Sequence, residues 1–379
     1  MVRDTVVALL LTALILLLNA NLRTMIGESE ALWQGRLEMH EVEFPFKLRP
    51  LTTLVTRTIA ENTDLSVRDA FIVGQYPLLF IFLFSFALYL RQLGFAPRQR
   101  LLAIGLLAFS FPVLCLHFIP NYTWDDLWAY IGLIWMAVLL VRGRYYTAAL
   151  CLAFAALSRE SVLVVAPAFY FYRREKERSL NWLLAAALSV AMYLLYRVLL
   201  FPEMLPGRLS LLLVNFANAA ETRQTLHSLF VGFGWLWVLA GMGIARALRT
   251  EGGEADTSIR KLALSALIVS PLCVFLTMTV SLARETRLFF TAFVFVVPLA
   301  TMELIRLRSV SARFIERLPR WLVMGSAVAL LTLCVGLTVL VFPSYPFLPM
   351  IDFHRVFFAL HLAGAMVVIL AVGLQVKSS

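Results

Sequence analysis

The chain has 379 residues, of which 61% are hydrophobic and only 15% charged, far from the roughly 45–50% apolar and 25% charged typical of soluble domains. This balance excludes an ordinary soluble enzyme, and about a dozen apolar runs, most able to cross ~30 Å of hydrocarbon, exclude a single-pass anchor on a soluble head. The net charge of +10 is not a nucleic-acid footprint, because the cations lie in short turns between apolar runs rather than along one face.

In chain order the apolar runs predict spans over 5–20, 69–90, 101–118, 125–141, 145–157, 161–172, 181–201, 225–245, 261–281, 288–305, 321–342 and 356–375. The expected fold is an all-α polytopic membrane protein with about 12 (11–13) transmembrane helices, forming a single membrane domain over residues 1–379. With Arg3 on the cytoplasmic side, twenty of the 33 Lys and Arg residues fall in inner turns, the bias that orients helices in bilayers. Both termini then lie in the cytoplasm, and the expected location is a bacterial inner membrane. Only 28 residues separate Arg144 from Arg173. One span there would invert every later turn, so the charge bias favours two short helices broken at Ser158-Arg159-Glu160. Helices of that size rise only roughly 18–20 Å, so the Arg159-Glu160 turn should sit below the outer surface, facing a polar cavity. The simpler possibility is a mutual ion pair that closes a tight hairpin.

The long first outer loop, residues 21–68, predicts a short helix from Glu28 to Glu38, an extended segment from Glu43 to Pro50, and a second helix from Leu51 to Glu61. In that second helix Leu51, Leu54, Val55 and Ile59 share one face, the pattern of an interfacial amphipathic helix. Pro206 to Ala220 is a second interfacial candidate. The four cysteines lie in apolar spans without metal or disulfide spacing. The five histidines show no ligand pattern either.

Charged and polar clusters converge on the outer side: Gly27-Glu28-Ser29-Glu30, Pro45 to Pro50, Asn121 to Asp126, Ser158-Arg159-Glu160 and Ala283 to Arg287. Charged loop residues are usually just solvated. Carboxylates beside fixed guanidiniums at a membrane surface, however, suit a reaction with a lipid phosphate leaving group: the carboxylate takes a proton from a hydroxyl and the Arg forks neutralise phosphate charge.

These motifs resemble a family. The acidic residue after the first span, Pro45-Phe46-Lys47-Leu48-Arg49-Pro50-Leu51, Asp126 opening the fourth span, Leu157-Ser158-Arg159-Glu160 and Arg284-Glu285-Thr286-Arg287-Leu288 look like bacterial membrane proteins of the GT-C glycosyltransferase superfamily, over roughly residues 1–300. The resemblance implies transfer of a sugar from a polyprenyl-phosphate donor to an acceptor hydroxyl on the outer face. Carried over by position, Glu30 or Glu28 is the catalytic carboxylate and Asp126 a second acid. Arg49, Lys47, Arg159, Arg284 and Arg287 contact the donor phosphate, with Glu160 and Glu285 supporting them. Many such enzymes carry Asp, or an Asp-Glu pair, where this chain has Glu-Ser-Glu. The expected partners are the lipid-linked donor and membrane lipids, with no nucleic acid; no protein partner is legible. No cofactor is expected, a divalent cation between Asp125-Asp126 and Glu28/Glu30 being the lesser alternative. Two other readings of the same residues are a transporter or flippase for a lipid-linked or anionic substrate and a non-catalytic membrane subunit. Residues 306–379, where the resemblance fades, have no assigned role.

Overall fold

A computed structural model describes residues 1–24, 29–43, 46–114, 124–173, 180–200, 214–249, 254–280, 286–315, 325, 328–330, 332–334, 336–338 and 358–368. Among them the fold is all-helical, without a strand. Among the described residues five helices are long and apolar enough to cross a membrane: within α1 (Val2–Thr24), α4 (Val67–Gln92), α10 (Asn181–Leu200), α13 (Glu254–Val280) and the segment that ends in α14 (Phe293–Ile315). The architecture is that of a helical membrane protein. Between these lie α2 (Glu30–Val42), α3 (Pro50–Asn62), α5 (Pro97–Ala108), α6 (Phe111–Leu114), α7 (Asp126–Val141), α8 (Tyr145–Ala156), α9 (Ala168–Phe171), α11 (Ala219–Phe233) and α12 (Leu236–Arg249). An apolar helix α15 covers Phe358–Val368.

Helix ends follow local chemistry. Pro97 opens α5 and the Gln99 side chain accepts from the Ala96 N–H (2.9 Å), while the Ser66 hydroxyl accepts from the Asp69 N–H at the start of α4; each satisfies an end donor. The α7–α8 turn closes on Gly143 at φ +70. Its N–H donates to Leu140 O and that of Arg144 to Leu139 O (both 2.9 Å), the paired closure that a left-handed residue permits.

The centre is built from α7 and α14. Some 83% of the apolar window over Arg287–Arg308 is buried, against 17% for α10, so α10 is peripheral among the described residues. In hydrocarbon no solvent drives helices together, and small residues that allow close approach take over. The alanine-rich α8 accordingly lies on α7 at Gly132, where a Cβ would come 2.7 Å from that of Ala155. Beside it, Phe82, Tyr130, Phe290 and Phe293 pack with ring centroids 5.2–5.7 Å apart.

Several local expectations are corrected. The 101–118 run is interrupted after Ala108: Ser110 bonds back to Leu107 O (2.6 Å) and Pro112, which lacks an N–H, sits in the first turn of the new four-residue helix α6. The 225–245 run is two helices bent by 64°, with Gly234 at φ +54 supplying a turn that other residues resist. The Glu43–Pro50 segment is not wholly extended, because Phe46–Leu48 forms a 3-10 turn closed by Arg49 N to Phe46 O (2.9 Å). In α3 the interior face is the threonine face: Thr52, Thr53 and Thr56 are buried while Leu54 is 61% exposed. Val55 and Ile59 lie against Gly74 of α4. Most of Pro206 to Ala220 lies outside the described residues.

Candidate functional site

Four stretches remote in sequence meet at one place: the α2–α3 region, the start of α7, the break after α8, and the 3-10 segment Thr286–Ala292. Asp126, wholly buried, pairs with Arg159, and Arg287 Nη1 lies 3.6 Å from its other oxygen. Arg49 forks onto Glu160 through Nε (3.0 Å) and Nη2 (2.7 Å), a bidentate geometry that only a guanidinium provides. Its Nη1 also lies 3.9 Å from Asp125 Oδ2. Arg159 and Glu160 therefore do not pair with each other but reach in different directions, to α7 and to the start of α3.

Local structure presents these groups at some cost to the helices that carry them. Asp125 is the N-cap of α7 but makes no capping hydrogen bond, forgoing about 1 kcal/mol that an Asp usually contributes there. Arg49 caps α3 and Arg159 caps the 3-10 helix Glu160–Val165, so each places a cation at the positive end of a helix. Opposite charges offset that in both cases: Glu160 for Arg49, Asp126 for Arg159.

His40 is the residue that sequence reasoning missed. It lies on the buried face of α2 with Trp33 and Leu37, at i, i+4 and i+7, and that spacing was the available signal. Its ring sits between Phe46 and Trp124 (centroids 5.1 and 5.2 Å), with Nδ1 3.7 Å from Asp125 Oδ2. The row continues from Trp124 to Phe71 (4.7 Å) and Trp33 (5.1 Å), and Trp124 Nε1 donates to Thr53 Oγ1 (3.1 Å). These aromatics and threonines wall off one side of the charge cluster.

Burial in that wall, with Arg49, Arg36 and Arg287 nearby, lowers the His40 pKa to about 2 and keeps the ring neutral. Three guanidiniums, of Arg49, Arg159 and Arg287, face three carboxylates, of Asp125, Asp126 and Glu160. Asp125 Oδ1 and Asp126 Oδ2 are buried without a hydrogen-bond partner among the described residues, so both are acceptors able to serve a ligand hydroxyl.

The remaining predicted site residues are placed differently. Glu30 is exposed and accepts from the Val67 N–H (2.8 Å), holding α2 against the start of α4. Lys47 is half-buried in the 3-10 turn two residues before Arg49. Glu28, Arg284 and Glu285 lie outside the described residues. No group of three His, Cys, Asp or Glu side chains that could hold a metal ion occurs among the described residues.

A different set of buried charges marks the far end of α4, where Arg100 grips Asp4 (2.9 Å) and donates to Phe95 O. Glu303 is likewise buried, held by Arg246 (2.8 Å) and Arg306 (3.1 Å). Comparison with family models, curated proteins and solved structures finds no match for this chain.

Proposed function

We propose that this chain is a membrane glycosyltransferase of the GT-C kind, which passes a sugar from a polyprenyl-phosphate donor to an acceptor hydroxyl at the extracytoplasmic face of a bacterial inner membrane. Supporting this reading is one observation above others: Arg49, Asp125, Asp126, Arg159, Glu160 and Arg287 gather in a single cluster, in which Asp125, Asp126 and Arg159 are buried and Glu160 stands at a 36% exposed edge. Buried charge is costly unless it is paired. Six charged groups drawn from four separate segments, three of them guanidiniums, fit a ligand with an anionic group better than they fit a structural need. The twelve-span topology with both termini cytoplasmic is part of the same proposal.

In the proposed reaction Asp125 takes the proton of the acceptor hydroxyl. The acceptor oxygen then forms a bond to the anomeric carbon, whose bond to the phosphate oxygen breaks. The departing lipid phosphate keeps that electron pair and its charge is met by the guanidiniums of Arg159 and Arg287. Asp125 Oδ1, buried without a hydrogen-bond partner among the described residues, is the atom that would receive that proton. Glu30, engaged with the α4 N-terminus, then serves the position of α2 rather than proton transfer.

The test is transfer of labelled sugar from a polyprenyl-phosphate donor by the purified full chain. Asp125→Asn should lower the rate by about 10²–10⁴-fold, the usual contribution of general base catalysis, and Glu30→Gln by less than tenfold. The reverse ranking would return the base to the first loop. A wild-type protein that neither transfers sugar nor binds polyprenyl phosphate would overturn the enzymatic reading and leave the transporter or non-catalytic alternatives.

A further inference from the structure

The two oxygens of Asp125 have different surroundings. Oδ2 lies 3.7 Å from His40 Nδ1 and 3.9 Å from Arg49 Nη1, whereas Oδ1 is buried without a hydrogen-bond partner among the described residues. The Arg49 guanidinium is already committed, since its Nε and Nη2 fork onto Glu160. His40 is therefore the neighbour best placed to fix which way the carboxylate points.

The ring is held so that it cannot swing away. His40 is 4% exposed and packs between Phe46 and Trp124, and Trp124 is itself tied to α3 by the bond from its Nε1 to Thr53. Burial alone would favour a phenylalanine in this wall. An imidazole leaves Nδ1 buried without a hydrogen-bond partner among the described residues, and a polar atom in that condition is costly. What that nitrogen faces is Asp125 Oδ2, at a separation about 0.5–1 Å longer than an ordinary hydrogen bond. Catalytic hydrogen bonds are often long before substrate binds and shorten in the complex.

We propose that His40 is the positioning residue for Asp125, donating from Nδ1 to Oδ2 as the acceptor substrate binds and so turning Oδ1 towards the acceptor hydroxyl. This rests on the glycosyltransferase reading and adds to it the group that aims the base. The hydroxyl proton passes to Oδ1, and His40 keeps its own. A base oriented by a further side chain is the recurring arrangement of activated hydroxyl nucleophiles. His40 acts only through Asp125, which sets its effect apart from that of a residue that merely fills the wall.

The experiment measures kcat and KM for transfer of labelled sugar from a polyprenyl-phosphate donor by the full chain, in His40→Phe, His40→Asn, Asp125→Asn and the double variant His40→Phe with Asp125→Asn. His40→Phe keeps an aromatic ring in the wall and should lower kcat by about tenfold or more, with KM for the donor changed by less than about twofold. His40→Asn, which carries an amide N–H near the place of Nδ1, should recover most of that loss. Once Asp125 is Asn, adding His40→Phe should cost less than about a further twofold, because residues that act as a unit are not additive. A structural histidine would instead give the same fold loss in both backgrounds. That result, an unchanged kcat in His40→Phe, or an Asn variant no faster than the Phe variant would overturn the positioning role. A wild type that transfers no sugar would instead overturn the reading on which it rests.

Discussion

Replacing Arg159 by Met leaves the Asp126 carboxylate buried, with Arg287 at 3.6 Å as its nearest remaining cation. The side chains of Asp126 and Arg159 are 0% and 3% exposed, and removing one member of such a pair typically costs about 3–5 kcal/mol. The surviving Arg287 places the expected loss near the lower end, about 3 kcal/mol. Removing both charges, Arg159→Met with Asp126→Leu, should restore stability to within about 1 kcal/mol of wild type, because the orphaned charge is gone. Asp126→Leu alone orphans Arg159 at a similar cost of about 3 kcal/mol, so the double-mutant cycle reads a coupling of roughly 5 kcal/mol. An internal control is Arg57–Glu61, whose side chains are 52% and 64% exposed and whose coupling should be about 0.3–0.5 kcal/mol. The assay is reversible unfolding of the full chain in mixed detergent micelles by increasing sodium dodecyl sulfate. Equal couplings at the two pairs would mean that Asp126 and Arg159 are hydrated, and the buried cluster would fall with them.

Two further predictions follow from packing and titration. Gly132→Leu should destabilise by about 1–3 kcal/mol or more through overpacking against Ala155, whereas Gly105→Ala, with nothing within 4 Å of the added carbon, should be neutral or mildly stabilising in the same unfolding assay. His40 is lowered in the folded protein to about 2, so the unfolded chain gains a proton below about 6.5 that the folded one does not, and His40→Gln should reduce acid lability below that pH. Parallel pH profiles in wild type and variant would show that the ring is not buried as described.

The elements that local chemistry dictates were legible in the amino-acid order. The apolar repeat after Pro50 placed α3 within a residue at each end, although Pro50 itself, on the sequence an extended residue, is the first residue of the helix. The break at Ser158–Glu160 was visible because two charges interrupt an apolar run. What those charges touch was not legible, since Arg159 pairs across 33 positions and Arg49 across 111, and no local pattern encodes such distances. The inverted burial of α3 escaped the sequence for a related reason. A threonine face is ambiguous until its neighbour is known, and here the neighbour is Trp124, brought in from the start of α7. The bend at Gly234 was hidden because α11 and α12 are joined by a stretch that stays apolar throughout. His40 escaped because a lone histidine on an apolar face is ordinarily a core residue.

The fork between Arg49 and Glu160 spans 111 positions, which sets the timetable on which the molecule can be assembled. At about 5–20 residues per second, roughly 6–20 s separate the synthesis of these two residues. Throughout that interval Arg49 lacks the carboxylate of its fork, while Thr53 waits only 71 positions for Trp124. The turn after α8 then completes the fork. Arg287 follows Arg159 by a further 128 positions in the chain, so the charged centre is complete only once that later segment has been made.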